Sequence, residues 1–206
     1  YTGAVTLSAS PTLTTTANTI TFSSTVNAAD ATDRNLTFGT GTGTVTFTGA
    51  VGTTFNLGTI TNVASQQLTF SDGVAATTIA NYGTLLFQAS SAKTVTPNIT
   101  DNGTTVIQVI NSADGAPGII TFSGTIAADT ITIGTTGKAG SALFNGTVSG
   151  TNINIVGGDS SEASLGNFAN TVTVTAITLN DQTGGATAQF SGSSKTITGT
   201  IDGSAD

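Results

Sequence analysis

The sequence predicts an all-β chain coiled into a β-solenoid with rungs of about 22 residues. Three observations predict it. The first is composition: of 206 residues 46 are Thr and 26 are Gly, and only 7% are charged. Thr, Val, Ile and Phe fit a pleated surface, whereas the strong helix formers Glu, Lys, Arg, Gln and Met are scarce or missing. The second is alternation. Runs such as Thr19-Ile20-Thr21-Phe22, Thr44-Val45-Thr46-Phe47, Leu68-Thr69-Phe70 and Thr130-Ile131-Thr132-Ile133 place large apolar side chains on one face and Thr on the other. The third is repetition of a strand ending in Phe, with a β-branched side chain at the fourth position after it.

Taken in order, Tyr1 to Leu7 reads as an exposed strand at the start of the chain. The repeat opens at Phe22-Ser23-Ser24-Thr25-Val26 and recurs at Phe47-Thr48-Gly49-Ala50-Val51. In this half Phe22, Phe47, Phe70 and Phe87 follow one another at sequence separations of 25, 23 and 17. The stretch from Ala89 to Gly118, with Pro97 and Pro117, is irregular; it reads as longer loops or as a weak boundary near 89–118 within one elongated β domain spanning 1–206. Beyond it the repeat tightens at Phe122-Ser123-Gly124-Thr125-Ile126 and Phe144-Asn145-Gly146-Thr147-Val148, with Phe168-Ala169-Asn170-Thr171-Val172 as a variant and Phe190-Ser191-Gly192 as a partial copy. Phe122, Phe144, Phe168 and Phe190 are separated by 22, 24 and 22. A second strand follows the first three at offsets of nine and eleven: Ile131/Ile133, Ile153/Ile155 and Ile177/Leu179.

One such rung cannot bury its apolar face alone. Stacked at about 4.8 Å, about nine rungs would form a rod on the order of 40 Å long, with Phe, Ile and Val in internal ladders. The competing architecture is one or two antiparallel β-sandwiches, because strands at intervals of roughly 8–12 residues fit that class as well. The dipeptides Asp72-Gly73, Asn102-Gly103, Asp114-Gly115 and Asp202-Gly203 are hairpin signals and favour it. The regular offsets of the second half favour the solenoid.

The phrases Gly43-Thr44-Val45-Thr46-Phe47-Thr48-Gly49 and Leu143-Phe144-Asn145-Gly146-Thr147-Val148-Ser149-Gly150 resemble the β-strand-repeat regions of bacterial surface proteins. The similarity is to autotransporter passenger regions, including the rickettsial outer-membrane surface antigen type. That resemblance implies a right-handed parallel β-helix displayed outside the cell as adhesin, stalk or coat.

The composition also excludes function classes. Without Cys or His, disulfide scaffolding, a Cys/His zinc site, thiol chemistry and a Ser-His-Asp triad are ruled out. Four basic residues, Arg34, Lys93, Lys138 and Lys195, stand far apart in a chain of net charge -7, so no nucleic acid and no anionic membrane is expected as a partner. No apolar run is long enough to predict a membrane helix. The chain starts at Tyr1 with no charged n-region before an apolar run, so a signal peptide is expected to be removed already or never included. Few charges and abundant Thr, Ser, Gly and Asn suit an extracellular or cell-surface structural protein.

Candidate chemistry is sparse. Glycoside hydrolysis needs paired carboxyls in a cleft, usually with aromatic platforms. There is no Trp, and the only tyrosines are Tyr1 and Tyr82, so no enzyme is expected. Asp159, Asp181 and Asp202 lie at separations of 22 and 21, each after the second strand of its repeat. On a rung of matching length they would share a corner, where Ca²⁺ could relieve their repulsion. Gly157-Gly158-Asp159 resembles the start of a calcium-binding nonapeptide, without the further repeats that motif needs. The preferred reading is that each Asp caps its turn and stays solvated, with no cofactor. Thr-x-Thr steps at Thr44/Thr46/Thr48, Thr94/Thr96, Thr130/Thr132, Thr173/Thr175 and Thr196/Thr198/Thr200 could suit ice if one pair per rung were aligned, but they fall on different strands of the repeat. Cross-strand Thr pairing on a solvent face is the simpler reading. Asn35, Asn98, Asn102 and Asn145 occupy glycosylation sequons.

Exposed-looking strands near the two ends, Tyr1 to Leu7 and Thr196 to Ile201, predict end-to-end pairing into a homo-oligomer or polymer, the alternative being that flanking chain supplies the caps. The expected role is therefore a non-enzymatic surface filament, stalk or coat. The alternative is an adhesin passenger that binds a host or surface glycan or protein.

Overall fold

The structure, a computed structural model, describes residues 1–14, 18–41, 43–111, 118–159, 162–182, 184–192 and 196–204. Twenty-one strands and no helix occur among them. Every strand-to-strand pairing is parallel; one antiparallel bridge joins Thr135 to Lys138. The molecule is a β-solenoid, and the chain visits three sides in the repeating order A, B, C.

Side A is followed through a single column of inward residues. Val5, Val26, Val51, Val74 and Val95 stack in sequence and are continued by Phe122, Phe144, Phe168 and Phe190. On side B, Leu36, Ile60, Ile79, Ile99, Ile126, Val148, Val172 and Ile197 stack in the same way. Side C carries two columns. One runs from Ile20 and Val45 through Leu68, Leu85 and Ile107 to Ile131, Ile153, Ile177 and Ile201. The other starts with Phe22, Phe47, Phe70 and Phe87 and continues as Val109, Ile133, Ile155 and Leu179. Nine positions on side A give eight steps, or about 38 Å of rod at about 4.8 Å per step.

The two Phe series of the sequence thus stand on different sides. In the first four rungs Phe lies on side C and Val faces it from side A. In the last four Phe lies on side A, faced by Ile133, Ile155 and Leu179 on side C in three of them. A packed interior has a fixed volume per layer, so each of these rungs takes one ring from the two ladders, and the second rung adds Phe38 from side B, fully buried and edge to face with Phe47 at 6.1 Å. The fifth rung, with Val95 and Val109, holds none. Phe87 and Phe122 fill its space from below and above, meeting edge to face at 5.1 Å and 90°. Within each ladder the rings stack: Phe22 on Phe47 at 4.9 Å and Phe122 on Phe144 at 5.0 Å. Buried apolar residues form one cluster from Leu7 to Ile177, and strand pairing passes through the 89–118 stretch.

The repeat after each Phe is a corner. Phe47 to Val51 turns from side C to side A, and Phe144 to Val148 turns from side A to side B. Glycine is needed here because corners stack directly: a Cβ on Gly146 would stand 2.1 Å from the Gly124 carbonyl oxygen, and one on Gly124 would stand 2.3 Å from that of Pro97.

The antiparallel sandwich is corrected by these pairings. Asp72-Gly73 turns the corner before Val74, with Gly73 N–H donating to the Asp72 carboxylate. Asn102-Gly103 links two sides of one rung, and Asp202-Gly203 lies inside the strand Ile197–Ser204. Asp114-Gly115, Pro117 and Lys195 lie outside the described residues. Asx-type side chains turn a corner between parallel strands as well as they turn a hairpin.

Candidate functional site

The three aspartates expected to share a corner do not. Val156 pairs with Asn180, which pairs with Ser204. Asp159 is thus three positions past that level, Asp181 one past it, and Asp202, paired with Thr178, two before it. The cause is rung length. Val148 stacks under Val172 and Val156 under Asn180, a separation of 24 in both cases, so a spacing of 22 drifts off register. Glu162 N–H donates to the Asp159 carbonyl. Among the described residues no three potential metal ligands converge.

Two charged pairs occur among the described residues. Lys93 Nζ lies 2.8 Å from Asp72 Oδ1 beside a cavity of about 370 Å³ on side A. Partial burial raises the Asp72 pKa, but the hydrogen bond from Lys93 and the Gly73 N–H outweigh it and hold the carboxyl below its ordinary value. Asp30, an exposed side chain, is held low by hydrogen bonds from Thr32 and, less, by Arg34 at 3.3 Å.

A second concavity, of about 400 Å³, opens at the corner between sides B and C, where Tyr82, Thr84, Asn102 and Thr104 line it. Tyr82 is 40% exposed. Beneath this corner Asn62 and Asn81 are fully buried: Asn62 Nδ2 donates to Asn81 Oδ1 at 2.8 Å, and Asn62 Oδ1 accepts from Tyr82 N–H at 2.7 Å. The amide of Gln66, also buried, has neither atom hydrogen-bonded.

The most regular surface is the outside of side B. The Thr pairs singled out in the sequence do divide among sides, with Thr44/Thr46 and Thr130/Thr132 on side C and Thr94/Thr96 on side A. Side B nevertheless carries its own pair in each rung, flanking the inward aliphatic residue. The steps are Asn35-Leu36-Thr37, Thr59-Ile60-Thr61, Thr78-Ile79-Ala80, Asn98-Ile99-Thr100, Thr125-Ile126-Ala127, Thr147-Val148-Ser149, Thr171-Val172-Thr173 and Thr196-Ile197-Thr198. Register holds them in two rows. Thr37 pairs with Thr61, Thr59 with Thr78, and Thr78 with Asn98; Ser149 pairs with Thr173, and Thr173 with Thr198. The leading row is carried upward by the bonds Ile126 N–H to Thr147, Val148 N–H to Thr171 and Val172 N–H to Thr196 carbonyl oxygens, each 2.9–3.1 Å. Neither row holds a charged residue. Sequence reading missed this surface because Asn, Ser and Ala replace Thr at several steps, so a search for Thr-x-Thr alone breaks the series.

At the ends, Tyr1 stacks on Phe22 at 4.9 Å and is 61% exposed, while Ile197 and Ile201 on the last described rung are 37% and 50% exposed. No helix among the described residues is long and apolar enough to cross a membrane. No family model matches the chain, and no curated protein or solved structure shows significant similarity to it.

Proposed function

We propose that this chain is a non-enzymatic structural protein of the cell surface or extracellular space, which contributes to a filament, stalk or coat through stacked rungs and self-association. One observation carries the reading. The internal columns run unbroken along the rod, and large side chains are exposed on its first and last described rungs, Tyr1 on one and Ile197 and Ile201 on the other. Large side chains exposed on an end rung can pack against the rung of another copy. The resemblance to autotransporter passengers agrees with a displayed rod, as does the low charge.

Light scattering across a concentration series, with negative-stain imaging, tests it. The expected result is growth in length at constant width, suppressed by Ile201→Lys. A monomer at every concentration overturns self-association.

A second reading, an adhesin passenger, is favoured by the Tyr82 corner, where an exposed ring stands beside Asn and Thr side chains as in many sugar-binding surfaces. Glycan-array binding lost in Tyr82→Ala would favour it over the scaffold.

A further inference from the structure

We infer that the outer face of side B is a binding surface for ice. The inference is independent of the scaffold reading and rests on the geometry of the two rows. Within a rung the paired side chains are two positions apart along a strand, or about 6.7 Å; between rungs the rows repeat at about 4.8 Å. A tetrahedral water network with O–H···O distances of about 2.75 Å places oxygens two bonds apart at about 4.5 Å, and repeats along its stacking axis at about 7.3 Å. The two lattices therefore agree to within about 0.3 Å in one direction and about 0.6 Å in the other.

Side-chain chemistry matches that lattice. Thr offers one hydroxyl to a water network and one methyl to the space between waters. Its β-branched χ1 is stiff, so a strand-borne Thr ladder is ordered before it meets a ligand and little further entropy is lost on contact. The rung spacing is too wide for a direct hydroxyl–hydroxyl bond, so a gap between two Thr hydroxyls has room for a water. Where the series departs from Thr it stays small and neutral. Asn98 Oδ1 accepts from both the N–H and the hydroxyl of Thr125, at 2.9 and 3.1 Å, which holds the step into the next rung. The absence of charge along both rows commits the face to an uncharged occupant, because an ionic side chain would carry a hydration shell that disrupts the lattice. The outside of side C lacks these properties: Gln67, Leu86, Gln108 and Asp202 interrupt its rows.

The test uses the full chain, assayed for thermal hysteresis and for inhibition of ice recrystallisation. The wild type is expected to slow recrystallisation and to facet growing crystals. Thr147→Lys with Thr173→Lys, both at exposed positions, is expected to need roughly tenfold more protein for the same effect. Thr100→Lys with Thr198→Lys, also exposed, should act alike and guards against misfolding of the first pair. Thr46→Lys with Thr132→Lys on side C should match the wild type. Circular dichroism verifies the fold of each. Absence of both ice activities in the folded wild type, or equal activity in the side B and side C variants, overturns the inference. So does retention on crystalline chitin or cellulose without any effect on ice.

Discussion

Inside a ladder a ring is held by identical neighbours one rung away, so a single residue there reports on the stack. Phe144 is fully buried between Phe122 and Phe168, at 5.0 and 5.1 Å. Phe144→Asp places an unpaired charge there at a cost of several kcal/mol, roughly the whole stability of a domain. The expected outcome is loss of the β-sheet circular dichroism signal, and a folded Phe144→Asp chain would mean the rung alignment is wrong. The surface offers a milder case in Asp72. Because its pKa is depressed below 3.8 in the folded chain, its contribution is present above that value and is lost as pH falls through the folded pKa. The carboxyl is 37% exposed, so about 0.5–1 kcal/mol is expected. Asp72→Asn should lower the urea midpoint at neutral pH and leave it equal to wild type well below pH 3.8. These residues were legible in different degrees. Alternation alone marks Phe144 as inward, because side-chain direction on a strand is local. The Asp72–Lys93 pair joins groups a whole rung apart and needs the register.

At the scale of the strand, the informative event is the shift of the aromatic ladder between sides. It leaves a trace in the sequence: Phe87 and Phe122 are separated by 35, one rung plus one side, where neighbours elsewhere in the ladder are separated by 17 to 25. The irregular stretch at 89–118 is where that extra side is taken up. Which side each Phe occupies was not legible, because the Phe-plus-four corner is the same at both turns of the coil. The aspartates fail for the same reason, since a spacing read along the chain becomes a register only after the loops are known. The shift also makes a compensating pair. Val95→Phe alone overfills the fifth rung, which Phe87 and Phe122 already occupy, and should cost about 1–3 kcal/mol. Phe87→Val alone leaves a void and should cost about 3 kcal/mol. Together they move the ladder change down by one rung. The double variant should therefore be more stable than the sum predicts, with a coupling of about 0.5–3 kcal/mol by chemical denaturation. Strict additivity would show that the rings do not share the fifth rung.

For the whole molecule, stacking makes length a free parameter. The sixth and seventh rungs superimpose position by position: Phe122 pairs with Phe144, Ile126 with Val148, Ile131 with Ile153 and Ile133 with Ile155. Deleting residues 123–144 therefore joins Phe122 to Asn145-Gly146-Thr147-Val148, which restores the same corner and hands each column to the next without a break. The lost terms are one rung and one interface between neighbours, together with the bond from Asn111 N–H to the Ala139 carbonyl. The shortened chain is expected to fold, to keep its β-sheet spectrum, and to lose about 5 Å of length by small-angle scattering. Deleting only 123–133 removes half a rung, sets Phe122 before Gly134, and throws sides B and C out of phase with everything above. That variant is expected not to fold. The contrast isolates the periodic principle from mere chain length, because the smaller deletion is the more damaging one. If the shorter deletion were the better tolerated, the columns could not be what holds the rod together.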